Sequence, residues 1–436
     1  MPLRLTPSLL LATALLTGCA AAGARSPATT RPTSKPTSRP VDETVTVELD
    51  TDRGPFAPRA HGLLRPGKQS TQLPRDLLAA LGPVGQGPEG REPAVLVTLG
   101  ESVKFEGAFP GDKGWDKWDK GVEDLLRQHK SDPRPKIYEL WKEPDKGAPF
   151  KSKQDFNGAW VHTARLIRRL EPKAVLMGAS ISKHDGGWTG EFLKVAKEYD
   201  VLPDVVCWHE ENLKQDVSGH VAQAGEQFWQ DGTDRRRVII SPGVSVDDKL
   251  AASDLPIFMV QLEKAVRENA WRPLTYYWGF KLTHLFTSDN KPRSVYYSYK
   301  EYADLANAGR NAKITSSPSV EGMALWSEAT STCRLLLGRN RSRVDSKQVL
   351  GSVTVKLKGA PTVIASTTHV RTRRIANTGP KPSDGPQVAF DGDVAVQRGE
   401  LAIPLPDFAS GDAYAIEITL RGAPTTAPAN NTPRPQ

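Results

Sequence analysis

Glu143 and Pro144 close the segment Ile137 to Asp145, IYELWKEPD, where an apolar run gives way to a turn. A carboxyl at such a strand end, beside Trp141, is partly shielded from water, and shielding raises its affinity for a proton. A carboxyl so tuned is a general acid, able to protonate a leaving oxygen. Sugar hydrolysis by this route needs a second carboxyl, about 5–5.5 Å away for retention or about 6.5–9.5 Å for inversion. Glu101, Glu210, Glu211 and Asp247 lie in neighbouring segments, and no spacing selects among them, so the second carboxylate stays unassigned. Trp141, Trp208 and Trp278 each end an apolar run, where an indole offers a flat face to a sugar ring; core packing claims at least one of them. Lys142 and His209 sit beside these indoles as candidate ligand contacts, so the binding set reads Trp141, Lys142, His209 and Trp278.

Other chemistries find little support. His184 with Asp185, and His284 with Asp289, are spaced too loosely for a metal set. Gly85-x-Gly87-x-x-Gly90 matches a dinucleotide fingerprint in letters only, since it precedes a strand and opens no helix. No P-loop, serine elbow or zincin helix is present. Neither a cofactor nor a metal is expected.

Residues so scattered along the chain need a scaffold that gathers strand ends. Ala94 to Leu99, Ile137 to Trp141, Ala174 to Met177, Asp204 to Trp208, Val238 to Ile240 and Leu274 to Trp278 are short apolar runs, as buried parallel strands are. Helical spacing separates them, for example Phe156, Trp160, Ala164 and Ile167, or Leu255, Phe258, Met259 and Leu262. Two further units would complete a (β/α)8 barrel. They must fit between Glu43 and Arg91, with Val45 to Leu49 and Ala60 to Leu64 as strands, so the N-terminal units are short or irregular. Barrel strands bring their C-terminal ends to one mouth, and Glu143 falls there. After Asn311 the helices stop, and alternation such as Val353, Val355 and Leu357 marks an all-β sandwich. Val45 to Leu49 fits equally well as an edge strand of that sandwich.

The segment IYELWKEPD resembles the W-N-E-P motif of clan A glycoside hydrolases, most closely family 39, the β-xylosidase and α-L-iduronidase type. VLVTLG from Val95, the helix and strand ARLIRRLEPKAVLMGASIS, LPDVVCWHEEN, and LTYYWGFKLTHLF followed by Arg293 to Tyr297 keep the family's order over about residues 90–420. The resemblance implies Glu143 as acid/base, a glycan ligand and hydrolysis of O-glycosidic bonds. Two positions depart from the pattern. Lys142 stands where the family has an Asn that hydrogen-bonds the sugar 2-OH, and Pro242, in VIISPG, stands where it has the nucleophile Glu. Two functions follow: a hydrolase whose second carboxylate comes from another loop or from the substrate, or a degenerate barrel that binds glycans without cleaving them. A structural envelope scaffold is the third reading.

The N-terminus, MPLRLTPSLLLATALLTGC, reads as a secretory signal ending in a lipobox, with Cys19 as the lipid-bearing residue. A lipid there would anchor the chain to a membrane, and Ala20 after it points to the outer membrane. The expected layout is signal 1–19, Pro/Ser/Thr-rich linker 20–43, barrel 44–311, sandwich 312–421 and disordered tail 422–436. Cys207 and Cys333 lie in apolar strands of different domains and are expected as free thiols. The formal charge is +8, yet the basic runs Arg235 to Arg237 and Arg371 to Arg374 lack interleaved aromatics, so no nucleic-acid partner is expected.

Overall fold

The computed structural model describes residues 39–51, 53–54, 56, 65–66, 77, 95–103, 114–133, 136–147, 149–210, 217–230, 237–242, 251–268, 285–305, 308–359 and 367–420. Its first strand, β1 (Val41–Glu48), is followed by five strands of a parallel sheet and one two-residue strand that opens it: β2 (Arg65–Pro66), β3 (Val95–Thr98), β4 (Lys136–Glu139), β5 (Val175–Ile181), β6 (Val205–Glu210) and β7 (Arg237–Pro242). These six pair in sequence order, β2 to β7, every pair parallel. Helices occupy the connections: α1 (Leu99–Ser102) and α2 (Trp115–His129) after β3, α3 (Lys153–Leu170) after β4, α4 (Gly186–Glu198) after β5, α5 (Val217–Gln230) after β6 and α6 (Asp254–Glu268) after β7. A parallel sheet needs such crossovers, because a tight turn can only return a strand antiparallel.

Side-chain alternation divides the sheet into two faces. Val95, Val97, Tyr138, Leu140, Leu176, Val206 and Trp208 join the large core built with the helices. Ile137, Met177, Val205 and Cys207 form a separate cluster on the other face, with Leu96 and Val175 against it. Trp160 of α3 lies so close to Gly178 of β5 that an added Cβ would meet its ring at 2.4 Å, so only glycine fits there.

One sequence expectation shifts here. The opening strand of the parallel sheet is Arg65–Pro66, just past the expected Ala60 to Leu64, which lie outside the described residues. Leu274 to Trp278, the expected sixth run, also lies outside them.

The remaining strands are β8 (Arg310–Asn311), β9 (Lys313–Thr315), β10 (Val320–Ser327), β11 (Thr332–Arg339), β12 (Leu350–Lys358), β13 (Thr367–Ile375), β14 (Gln387–Ala395), β15 (Leu401–Leu405) and β16 (Ala413–Thr419), with α7 (Ser294–Asp304) before them. They form two sheets, ordered β15-β12-β1-β9 and β14-β13-β16-β11-β10-β8. Val45, Val47, Leu335, Leu337, Val353, Val355, Ile403, Ile416 and Ile418 fill one core from strands of both sheets.

The strand β1 corrects the expected domain boundary. It is an interior strand of the sandwich, parallel to β12 and antiparallel to β9, so it is neither an edge nor part of the parallel sheet. Its inward residue Glu43 is 4% exposed and meets Arg339, whose Nη2 donates to Oε2 at 2.9 Å. The Ser319 backbone N–H donates to Glu43 Oε1 at 2.8 Å, and Arg339 Nη1 donates to the Phe408 carbonyl at 2.6 Å. A buried charge pair is tolerated only when so many of its lone pairs and protons are met.

Close packing of α6 on the sandwich joins the two parts: a Cβ at Gly338 of β11 would meet the Ser253 carbonyl oxygen at 2.5 Å. Cys207 and Cys333 are both buried and unbridged. Among the described residues no helix is long and apolar enough to cross a membrane.

Candidate functional site

Beyond Glu139 the chain leaves β4 and reaches Glu143 in the left-handed region, φ 51°. For a non-glycine residue this conformation is costly, by about 1–3 kcal/mol, and it needs support from its surroundings. Support comes from β5. The Glu143 backbone N–H donates to the Ser180 carbonyl at 2.8 Å, and Lys146 N–H closes a turn on the Glu143 carbonyl at 3.0 Å. A second link fixes the same loop: Asp145 accepts from the Ser182 backbone N–H at 2.8 Å and from its hydroxyl at 2.5 Å. The loops after β4 and β5 are thus latched to each other.

So held, the Glu143 carboxyl meets His209 of β6. Oε1 and Nδ1 are 2.8 Å apart, and Oε2 faces the Lys146 ammonium at 3.0 Å. The His209 side chain is 5% exposed and that of Glu143 23%. Burial raises the proton affinity of Glu143, but the hydrogen bonds and charges of Lys146 and His209 outweigh it and hold the carboxyl below the usual glutamate range. Burial also lowers His209, with Lys142 and Lys146 acting in the same sense against Glu143. A neutral imidazole beside an ionised carboxylate must carry its proton on Nδ1, so His209 donates to Glu143.

This reverses one sequence expectation. The elevated proton affinity expected of Glu143 is found at Glu139, four residues earlier. Glu139 is 3% exposed and accepts from the Thr98 hydroxyl at 2.8 Å. Burial pushes its carboxyl up to about 7, against the pull of Thr98 and the Lys142 charge. Glu139, Cys207 and His209 bring a carboxylate oxygen, a thiol sulfur and a ring nitrogen within 4.8 Å of one another. Those are donor types that zinc accepts, though one short of the four of a closed site. The sequence signal for Glu139 was available: an acidic residue inside the apolar run IYEL, two positions from Ile137 and so on the same strand face.

The other sequence candidates separate. Trp141 is 3% exposed, its ring stacked on Trp118 at 5.3 Å with Phe150 and Phe156 edge-on. Such a ring is core, and it offers no platform to a sugar. Trp208, 1% exposed, donates through Nε1 to Glu210 at 2.7 Å. Strand alternation puts Glu210 with Trp208, opposite His209. Glu210 Oε1 is engaged by Trp208 and by His220 of α5 at 2.8 Å, on the helix side of the sheet. Glu210 is therefore withdrawn from the face that carries His209, and it is not the partner carboxylate of Glu143. Its neighbour across the sheet is Pro242, in register at the end of β7. Glu101 is exposed on α1, and Lys142 is exposed beside Glu143. Glu211, Asp247, Trp278 and His284 lie outside the described residues.

No protein-family model and no curated protein matches the sequence. Solved structures do match. A family 39 glycoside hydrolase from Xanthomonas axonopodis pv. citri superposes over 87% of this chain and 98% of its own, with TM-score 0.56 and 14% identity. The fold is that of a family 39-like glycoside hydrolase. A protein from Neocallimastix frontalis, N2152, covers 87% of this chain and 100% of its own at TM-score 0.65 and 19% identity. A monomeric β-xylosidase from Caulobacter crescentus covers 87% and 100% at TM-score 0.57 and 12% identity. At these identities the family 39-like likeness is one of fold.

Proposed function

We propose that this chain is a carbohydrate-binding protein of family 39 glycosidase type, which holds a glycan at the mouth beside Glu143 and does not cleave it. The parallel sheet would belong to a (β/α)8 barrel, with Trp278 as a candidate ligand contact. The single observation that carries this reading is the state of Glu143. It stands at a strand end where an acid/base would stand, yet Lys146 and His209 hold its carboxyl ionised. An ionised carboxylate has no proton to give a leaving oxygen. At the end of β7, Pro242 supplies no carboxyl for a nucleophile or base. Glycan recognition needs neither group in its catalytic state.

Hydrolysis is the second reading, and one observation favours it. The Glu143 side chain keeps 23% of its surface open, enough for a ligand to reach it and change its partners. The second carboxylate would then be Glu101, Glu211 or Asp247, or one supplied by the substrate. In either reading Cys19 carries a lipid that holds the protein at the outer membrane, with the Pro/Ser/Thr-rich segment before β1 as its tether.

The deciding experiment is affinity electrophoresis in polysaccharide gels, run beside an aryl-glycoside turnover screen. Retardation without turnover supports the proposal. Turnover that disappears in Glu143→Gln establishes the hydrolase instead.

A further inference from the structure

The sheet face that carries Ile137, Met177 and Val205 turns polar toward the strand ends. Cys207 and His209 follow Val205 at a period of two on β6, and Glu139 follows Ile137 in the same way on β4. All three are buried, with exposures of 3% for Glu139, 2% for Cys207 and 4% for His209. A carboxylate oxygen, the thiol sulfur and a ring nitrogen lie within 4.8 Å of one another. A carboxylate is costly to bury unless it is paired or bound to a metal. The hydrogen bond that Glu139 accepts comes from a neutral group, the Thr98 hydroxyl at 2.8 Å.

The groups around these three are those that support metal ligands. His209 Nδ1 lies 2.8 Å from Glu143 Oε1, and the other Glu143 oxygen faces the Lys146 ammonium at 3.0 Å. Glu143 is thus the acceptor, the ring proton sits on Nδ1, and Nε2 keeps the lone pair that binds a metal. A carboxylate that orients a ligating imidazole through its other nitrogen is the usual outer support of such a site, and Thr98 orients Glu139 in the same manner. Ser180 gives an independent sign. Ala179 pairs with Cys207 and Ile181 with Trp208, so Ser180 is the extra residue of a bulge at the level of the cluster. Its hydroxyl oxygen is buried and makes no hydrogen bond, and such an orphan calls for a polar partner beyond the chain's own groups.

We infer that Glu139, Cys207 and His209 form a metal site that takes one zinc ion and leaves its fourth position to water or a ligand. The inference stands apart from the glycan-binding reading above. Sulfur, imidazole nitrogen and carboxylate oxygen together suit zinc, whereas calcium and magnesium take oxygen alone. Zinc holds such donors at about 2.0–2.3 Å, and these three are near enough to converge on one ion. The charges balance, with a carboxylate and a thiolate against a divalent cation and the imidazole neutral. On binding, the Cys207 S–H bond breaks, a sulfur–zinc bond forms and the proton leaves to solvent. Strands rather than loops carry all three ligands, which holds them in place.

The test strips the full chain with a chelator, dialyses it against zinc and counts bound metal by plasma mass spectrometry. The expected result is one zinc equivalent that Cys207→Ala lacks and Cys333→Ala, which alters the other buried thiol, retains. Cobalt in place of zinc should give a thiolate-to-cobalt charge-transfer band, absent from Cys207→Ala. Glu143→Ala, which removes the outer support of His209, should weaken zinc affinity by about tenfold or more without changing the stoichiometry. Glu139→Gln provides a second ligand variant in case Cys207→Ala fails to fold, and circular dichroism checks each fold. A folded native chain that retains no zinc would overturn the inference. So would an equivalent unchanged in both Cys207→Ala and Glu139→Gln.

Discussion

Glu143 and His209 lie 66 positions apart, one on the turn after β4 and the other on β6, and their side chains meet at 2.8 Å across the end of the strand between these two. The contact is possible because Glu143 leaves β4 with a positive φ and is tied to Ser180 of that intervening strand. It also sets the chemistry of the mouth. The imidazole N–H and the Lys146 ammonium together fix the carboxyl in its ionised form.

Removing either donor should therefore release the carboxyl. In His209→Ala, and separately in Lys146→Ala, the Glu143 titration is expected to move up toward the ordinary glutamate value, followed by carbon-13 carboxyl NMR. The depressed value of the native protein is a stabilising contribution present above the unfolded glutamate pKa and lost as pH falls through the folded one. Acid unfolding of both variants should consequently be less steep. An unmoved Glu143 resonance in both would show that neither donor governs it.

Glu139 has the opposite sign. Its folded value, about 7, lies above the ordinary 4.5, so ionising it costs stability as pH rises from the lower value to the higher. At about 1.4 kcal/mol per unit, the cost above pH 7 is of order 3 kcal/mol at most. Glu139→Gln keeps an acceptor for Thr98 and removes the charge. Its melting temperature should exceed that of the native protein by a few degrees at pH 8, with little difference at pH 5. Equal differences at both pH values would mean that Glu139 does not titrate in this range.

Much of this fold is legible in the sequence, because buried parallel strands announce themselves as apolar runs. Ile137 to Trp141 is read as a strand and the observed one is Lys136–Glu139, displaced only because the chain turns out of the sheet after Glu139. The side chains are harder. Once the strand has ended, its period of two no longer says where Trp141 points, and the ring turns into the helical core rather than toward the mouth. The burial of Glu139 is signalled in the sequence only by the strand face it shares with Ile137. The bond between Glu143 and His209 leaves no local trace, since no spacing rule reaches across two strands. The strand β1 is ambiguous for a related reason: Val45 and Val47 alternate as any half-buried strand does, and only pairing with β12 assigns it to the sandwich.

Trp141 gives a test of that reassignment. Trp141→Ala should cost about 3–5 kcal/mol of stability in chemical denaturation, the usual penalty for a large core aromatic. Trp141→Phe, measured by affinity electrophoresis, should retain glycan binding. Loss of binding in a stably folded Trp141→Phe would return the indole to the ligand.

The pair of Glu43 and Arg339 predicts that the start of the described chain is bound to the sandwich by more than strand pairing. Glu43→Ala leaves the Arg339 guanidinium buried without its carboxylate and should destabilise by about 3–5 kcal/mol. The double variant Glu43→Ala with Arg339→Met should recover part of that loss in thermal melts. A Glu43→Ala variant as stable as the native chain would show the pair to be energetically silent.

The central claim is that this mouth holds a glycan with its acid disarmed. The most direct measurement takes the oligosaccharide bound most tightly in titration and incubates it with the native chain and with Glu143→Gln, following new reducing ends. The account predicts saturable binding by the native protein and no product above the level of the variant. Product released by the native protein and absent with Glu143→Gln would contradict it.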